Sequence, residues 1–186
     1  MFGLPPIPPL EGMHPIVVHF PIGILLIAWL PMLVGVIDKK RRNTWFASAF
    51  MLLLVGTIGA FAAVFTGEAT EETVGTTSQL IENAIHEHEE AAEMARNLFI
   101  ATTIVFLAVW LTWAKINEKK KAMVAVAGGA LVVASYAVAS LALANAGHLG
   151  GVLVHQHGIH APITAQATPS GVLNDAIDEL GDDDDD

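Results

Sequence analysis

Apolar residues are concentrated in four long blocks along the chain, and short polar segments separate these blocks. The blocks cover about residues 16–37, 44–66, 97–115 and 122–146. Each is close to the ~20 residues that a helix needs to cross the hydrocarbon core of a bilayer. The pattern therefore predicts an all-α integral membrane protein, a four-helix bundle in which each block forms one span.

Two of the helices should be longer than their apolar blocks. Residues 77–95 contain good helix formers and no helix breaker, so the third helix should begin near Thr77 and continue into its span. A helix over 77–115 would be about 58 Å long, whereas the hydrocarbon core is only ~30 Å thick. The fourth helix has the same excess if it continues through Gly147 toward His155. We therefore predict a helical extension on one side of the membrane.

The basic residues orient the bundle. Eight of the nine Lys and Arg residues lie in two short loops, at 39–42 and 115–121. The positive-inside rule places these loops in the cytoplasm. Both termini, the helical extension and every histidine are then predicted on the outer side of the membrane. The histidines are His14, His19, His86, His88, His148, His155, His157 and His160.

Composition divides the chain into three parts and excludes several kinds of site. We expect a proline-rich N-terminal arm at 1–13, the membrane domain with its outer extension at 14–160, and an acidic, mobile tail at 161–186. There is no cysteine, so thiolate zinc sites, iron–sulfur clusters and covalently attached haem are excluded. The net charge of −10 argues against nucleic acid as a partner.

The histidines indicate a metal or cofactor site, because an imidazole buried at a membrane edge without a partner is costly. His88 lies 30 residues before Glu118, at the predicted turn, and His148 lies 30 residues after it. In two straight helices these rings would therefore lie at equal height. His148 and His155 share a helix face, and His86 shares another with Glu90. Gly150 and Gly151 could either break the fourth helix or let a flat group approach its backbone.

Two kinds of cofactor fit such a histidine set. Neutral imidazole is a good axial ligand of haem iron, and Arg96 is the basic residue on the outer half that could pair with the propionates. Copper or zinc also suits histidine, with nearby glutamates as further ligands. The candidates for binding haem b are His14, His19, His88, Arg96, His148, His155 and His157. The candidates for binding copper or zinc are His19, His86, His88, His148 and His157.

Four motifs resemble a known family of bacterial membrane proteins, catalogued as domain of unknown function 2231. They are HPIVVHFPIGILL at 14–26, TGEATEE at 66–72, HEHEE at 86–90 and GGVLVHQHG at 150–158. The resemblance covers about residues 14–160. It implies a four-helix fold in the bacterial inner (cytoplasmic) membrane, whose outer side is the periplasm. Similar members imply haem b or metal binding beside respiratory cytochromes. The implied family positions are His14, His19, His88, Gly151, His157 and Gly158, whereas His148, His155 and His160 depart from the pattern.

We expect an electron-transfer protein or subunit more than a stand-alone enzyme, since no nucleophile elbow or HExxH motif is present. The favoured hypothesis is a membrane-bound, b-type cytochrome-like protein with haem near the periplasmic surface. Its acidic outer face would attract a periplasmic c-type cytochrome or a respiratory membrane complex. The alternative is a non-redox copper- or zinc-binding membrane protein or accessory subunit with a structural histidine cluster. A pH sensor also stays open.

Overall fold

The chain forms four long helices. The computed structural model describes residues 7–71 and 78–160, and these ranges contain helices and no strand. After a 3-10 turn at Leu10–Gly12, the helices are α1 (His14–Ile37), α2 (Arg42–Glu71), α3 (Gln79–Lys115) and α4 (Glu118–His155). Each is long and apolar enough to cross a membrane, so the prediction of an all-α, four-span protein is confirmed. Residues 1–6 of the predicted arm and the predicted acidic tail lie outside the described residues.

Helix α1 is loosened at two points by its prolines. It consists of the segments His14–Val17, His19–Ile27 and Trp29–Ile37. Val18 and Ala28, at the junctions, keep right-handed helical backbone angles, so the helix continues through them. Pro15 lies in the first turn, where its missing N–H costs nothing. Pro21 and Pro31 each remove one interior hydrogen bond, which membrane helices tolerate because their neighbours support the backbone.

The helices pack as two antiparallel hairpins. The first hairpin pairs α1 with α2, the second pairs α3 with α4, and α2 packs against α3 to join them. Buried side chains from both hairpins form one core, made of Leu25, Ala28, Ala49, Leu53, Phe99, Phe106, Val132 and Ala139. A bilayer interior contains no water that would drive apolar surfaces together, so helix association there depends on close packing of this kind.

Polar side chains also connect the helices inside the bundle. The hydroxyl oxygens of Thr57 on α2 and Thr103 on α3 lie 3.2 Å apart in a buried hydrogen bond. The Tyr136 hydroxyl on α4 donates to the carbonyl oxygen of Leu25 on α1. Gly56 lets α1 approach α2, since a Cβ there would lie 2.7 Å from the Leu25 side chain. The core is therefore held by small residues and by interhelical hydrogen bonds together.

Helices α3 and α4 are much longer than a bilayer requires. They contain 37 and 38 residues, which at 1.5 Å per residue makes them about 56 and 57 Å long. Helix α4 passes through Gly150 and Gly151 without a break and ends at His155. The predicted helical extension is therefore present, and it lies at the end of the bundle that carries His14 and His88, here called the histidine end.

Candidate histidine site

In the first hairpin, His14 of α1 is anchored on the backbone of α2. Its Nδ1 lies 2.9 Å from the carbonyl oxygen of Ala63 and 3.4 Å from the Thr66 hydroxyl. The Thr66 hydroxyl itself donates to backbone carbonyls of its own helix. A carbonyl oxygen can only accept, so Nδ1 carries the proton and donates. In the neutral ring, Nε2 is then left with a free lone pair.

In the second hairpin, His88 of α3 repeats this arrangement on α4. Its Nδ1 lies 3.0 Å from the carbonyl oxygen of Ala146, to which it donates. The same reasoning fixes the same tautomer, with the lone pair on Nε2. Each hairpin therefore contributes one imidazole from its first helix, held by a carbonyl of its second helix.

A glycine lies against each ring, one turn beyond the anchoring alanine. A Cβ added at Gly67 would lie 3.3 Å from the His14 ring, and one added at Gly150 would lie 3.0 Å from Cε1 of His88. The anchoring helices thus share the pattern Ala-x-x-x-Gly, at 63–67 and at 146–150. Of the two possibilities for Gly150, the structure shows the second: a flat group, the imidazole of His88, approaches the backbone of an unbroken helix.

The two imidazoles form an edge-type ring contact at the junction of the hairpins. The ring centroids of His14 and His88 are 6.4 Å apart, and the ring planes are inclined by 82°. Both residues are half-buried. Two imidazoles bound to one metal ion through Nε2 have centroids at most about 6.4 Å apart, because each metal–nitrogen bond is ~2.0–2.1 Å and each ring adds ~1.1 Å. The observed separation lies at that limit, so both rings would hold one ion only with their Nε2 atoms pointing straight at it from opposite sides.

Neither Nε2 atom forms a hydrogen bond within the described residues. His14 and His88 form hydrogen bonds through Nδ1, and residues 7–71 and 78–160 provide no partner for either Nε2. Among the same residues, no group of three or more His, Asp or Glu side chains is placed to hold a metal ion. The site is therefore a pair of lone-pair donors, without a third protein ligand from the described part of the chain.

Two other predicted ligands of the histidine end lie away from this pair. His19 is exposed, and its Nδ1 is bonded to the carbonyl oxygen of Pro15 in its own helix. His86 is also exposed; its Nε2 lies 3.3 Å from a Glu90 carboxylate oxygen, and its Nδ1 lies 3.8 Å from one of Glu89. His86 and Glu90 thus share a helix face, as their spacing predicts, and that face is open to solvent.

The four closing histidines, which lie near the C-terminal end of α4 and just beyond it, do not join the pair either. His148, His155 and His160 are exposed and His157 is half-buried. No hydrogen bond or ion pair of their side chains is seen within the described ranges. His88 does lie level with residues 146–150, as the equal spacing around Glu118 predicts. Its partner on α4 is nevertheless the backbone of Ala146, because the His148 side chain lies on an exposed face of that helix.

Arg96, the predicted propionate partner, is engaged elsewhere on α3. Its guanidinium lies 2.9 Å from a Glu93 carboxylate oxygen and 5.1 Å above the Phe61 ring of α2. It lies eight residues along α3 from His88, which is about 12 Å at the helical rise. The structure therefore does not bring Arg96 to the histidine pair.

Sequence reasoning identified His14 and His88 separately and missed both their pairing and their anchors. The anchors act through their backbone carbonyls, at Ala63 and Ala146, or through the lack of a side chain, at Gly67. Neither role requires a reactive side chain, so a search for functional groups in the sequence does not find these residues. The available signal was the Ala-x-x-x-Gly pattern in α2 and again in α4. The same pattern also occurs at 125–129 in α4, so by itself it did not single out the two anchors.

Of the comparisons with known proteins, the one with family models covers the whole of this site. A family model described as "Predicted membrane protein (DUF2231)" matches residues 11–162. That range contains all four helices, both histidines and their anchors. No curated protein matches the chain, and no solved structure does.

Proposed function

The chain belongs to this family of predicted membrane proteins, and from that premise we propose that it is a membrane-bound, b-type cytochrome-like electron-transfer protein or subunit. Its haem iron would be held between His14 and His88. One observation carries the proposal: two imidazoles that use only Nδ1 for hydrogen bonds lie in ring contact, at a centroid separation of 6.4 Å.

The residues present fit a haem in three respects. Haem iron would need only two ligands from the protein, and histidine is a common ligand of haem iron. The carbonyls of Ala63 and Ala146 hold the tautomer that offers Nε2 and increase the basicity of the ligand. The pair lies where two hairpins meet, which is where a flat group could lie between them. When bound, haem would supply reversible one-electron chemistry.

The distribution of charge supports electron exchange with a partner on the periplasmic side of the membrane. The basic loops at 39–42 and 115–121 favour a cytoplasmic location, which would place the histidine end in the periplasm of a bacterial inner membrane. Exposed carboxylates surround that end, and they include Glu68, Glu71, Glu82, Glu87 and Glu90. Such a surface would attract a basic redox partner, for example a small c-type cytochrome or a respiratory complex, with rates that fall as salt is added.

A copper or zinc site is the alternative that the same pair leaves open. Imidazole suits both metals. A tetrahedral zinc site, however, needs three or four protein ligands, and the described residues bring only two together. Haem requires no third protein ligand, so the pair favours haem over a structural zinc site.

The direct test is a reduced-minus-oxidised visible spectrum of the purified full-length protein in detergent. A pyridine haemochrome assay and an elemental analysis would be made on the same sample. We expect a b-type spectrum and a haem content near one per chain. A featureless spectrum, from protein produced with ample haem, would contradict the proposal. Stoichiometric copper or zinc in that sample would then support the alternative.

A further inference from the structure

The opposite end of the bundle contains a basic cavity that plays no part in the histidine site. It is open, has a volume of about 140 Å³, and is lined by the four consecutive cations Lys39 to Arg42, by Asn43 and Thr44, and by Trp113 of α3. We propose that this cavity binds a phosphate group, with the headgroup of an anionic phospholipid as its source.

Most of the positive charge in the cavity is unneutralised. Within residues 7–71 and 78–160, no carboxylate forms an ion pair with Lys39, Lys40 or Arg41. Asp38, the nearest acid in sequence, accepts hydrogen bonds from the backbone N–H groups of Lys40 and Arg41, each at 3.1 Å. Its other oxygen accepts the indole N–H of Trp45 at 3.2 Å. Asp38 is therefore committed to the turn, and a cation excess remains.

These bonds also keep Asp38 ionised. The backbone N–H of Arg41 and then the indole N–H of Trp45 hold the pKa of the Asp38 carboxyl below its ordinary value. The turn therefore keeps one fixed negative charge against four cations. Asp38 thus orders the backbone of the turn from which the four cationic side chains extend.

The cavity is a built feature rather than a diffuse run of charge. Arg42 donates to the carbonyl oxygens of Gly35 and Val36, at 3.0 and 3.3 Å, which fixes its guanidinium at the end of α1. That guanidinium lies 4.9 Å from the centre of the Trp113 ring, and the Lys121 ammonium lies 5.2 Å from the same ring. Trp113 thus contacts one cation from each basic loop; of the two, Lys121 is paired with Glu118 at 2.6 Å and lies outside the lining of the cavity. The positive-inside rule accounts for the number of cations but not for this convergence.

The chemistry of the lining suits a phosphate. Arginine and lysine bind phosphate oxygens through charge-assisted hydrogen bonds, and Asn43 and Thr44 add an amide and a hydroxyl. The volume of the cavity is well above the ~10–15 Å³ that a cavity needs to hold one water molecule, which leaves room for a phosphate group. The cavity also lies where α1 ends, α2 begins and α3 ends, which is where headgroups would surround helices that cross a bilayer. Basic pockets in that position bind anionic lipid headgroups.

The test compares two lipids on the full-length protein in detergent by native mass spectrometry. The lipids are phosphatidylglycerol and phosphatidylcholine with identical acyl chains. The test variant is Lys40→Gln/Arg41→Gln, and the matched control is Lys119→Gln/Lys120→Gln. The control removes the same charge from the neighbouring basic loop, at exposed residues that do not line the cavity. A separate arm titrates inorganic phosphate into the protein in phosphatidylcholine nanodiscs by calorimetry.

We expect wild type to prefer phosphatidylglycerol, the test variant to lose about fivefold in affinity for each cation removed, and the control to stay near wild type. A second result would also support the phosphate site but would assign it a soluble source. In that case, wild type shows no preference between the two lipids, and inorganic phosphate binds only when Lys40 and Arg41 are present. An equal loss in both double variants, or no binding of either probe, would overturn the proposal. The haem spectrum should be unchanged in both variants, so this test and that of the proposed function fail separately.

Discussion

Replacing His88 with alanine is expected to lower the haem bound by the purified protein at least tenfold, and His14→Ala should do the same. Each change removes one of the two Nε2 donors, and even the loss of an outer-shell partner costs about 10–100-fold in metal affinity. The matched controls are His19→Ala and His148→Ala, which delete exposed imidazoles outside the pair. Haem content by pyridine haemochrome, relative to protein, is the measurement.

Loss of a ligand must be distinguished from loss of the fold. Free imidazole added to His88→Ala should restore part of the wild-type spectrum, because it can occupy the vacated coordination position. Unfolded protein would not respond in this way. Full haem occupancy in both His14→Ala and His88→Ala would remove the pair from the ligand set. A loss of similar size in His148→Ala would return the assignment to the closing histidines.

Gly150→Val is expected to have an effect nearly as large, although it replaces no ligand. A Cβ at Gly150 would lie 3.0 Å from Cε1 of His88, and valine adds two methyl groups beyond it. The ring would have to leave its position above the helix and break its hydrogen bond to the carbonyl of Ala146. We expect a drop of about tenfold or more in haem content, comparable to the loss of an orienting partner.

The matched control for this variant is Gly147→Val, on the same helix. A Cβ at Gly147 meets nothing within 4 Å, so valine there carries the same change in helix propensity without displacing the ring. We expect Gly147→Val to keep its haem and to unfold at nearly the temperature of wild type. Equal haem content in the two glycine variants would show that His88 does not need its position against Gly150.

The helices could be predicted from sequence because their signals are local. The apolar blocks located all four spans, and the run of helix formers before residue 97 placed the start of α3 close to Gln79. The unbroken path of α4 through Gly150 to His155 was one of two possibilities that the sequence left open. It was decided by packing, since His88 lies against that glycine.

The histidine pair could not be predicted, for two physical reasons. Counting residues from the turn at Glu118 gives the height of a side chain along α3 and α4, but not which face of the helix it lies on. His148 therefore had the right height and the wrong direction. His14 belongs to the other hairpin, and its approach to His88 depends on how α2 packs on α3, for which the pattern of α1 contains no signal.

The spin state of the ferric protein, measured by electron paramagnetic resonance, tests the central claim most directly. Two imidazole ligands make ferric haem six-coordinate and low-spin, whereas the loss of one leaves it high-spin. We therefore predict a low-spin signal in wild type that becomes high-spin in whatever haem His14→Ala retains. A high-spin wild type, or a low-spin signal unchanged in both His14→Ala and His88→Ala, would contradict ligation between His14 and His88.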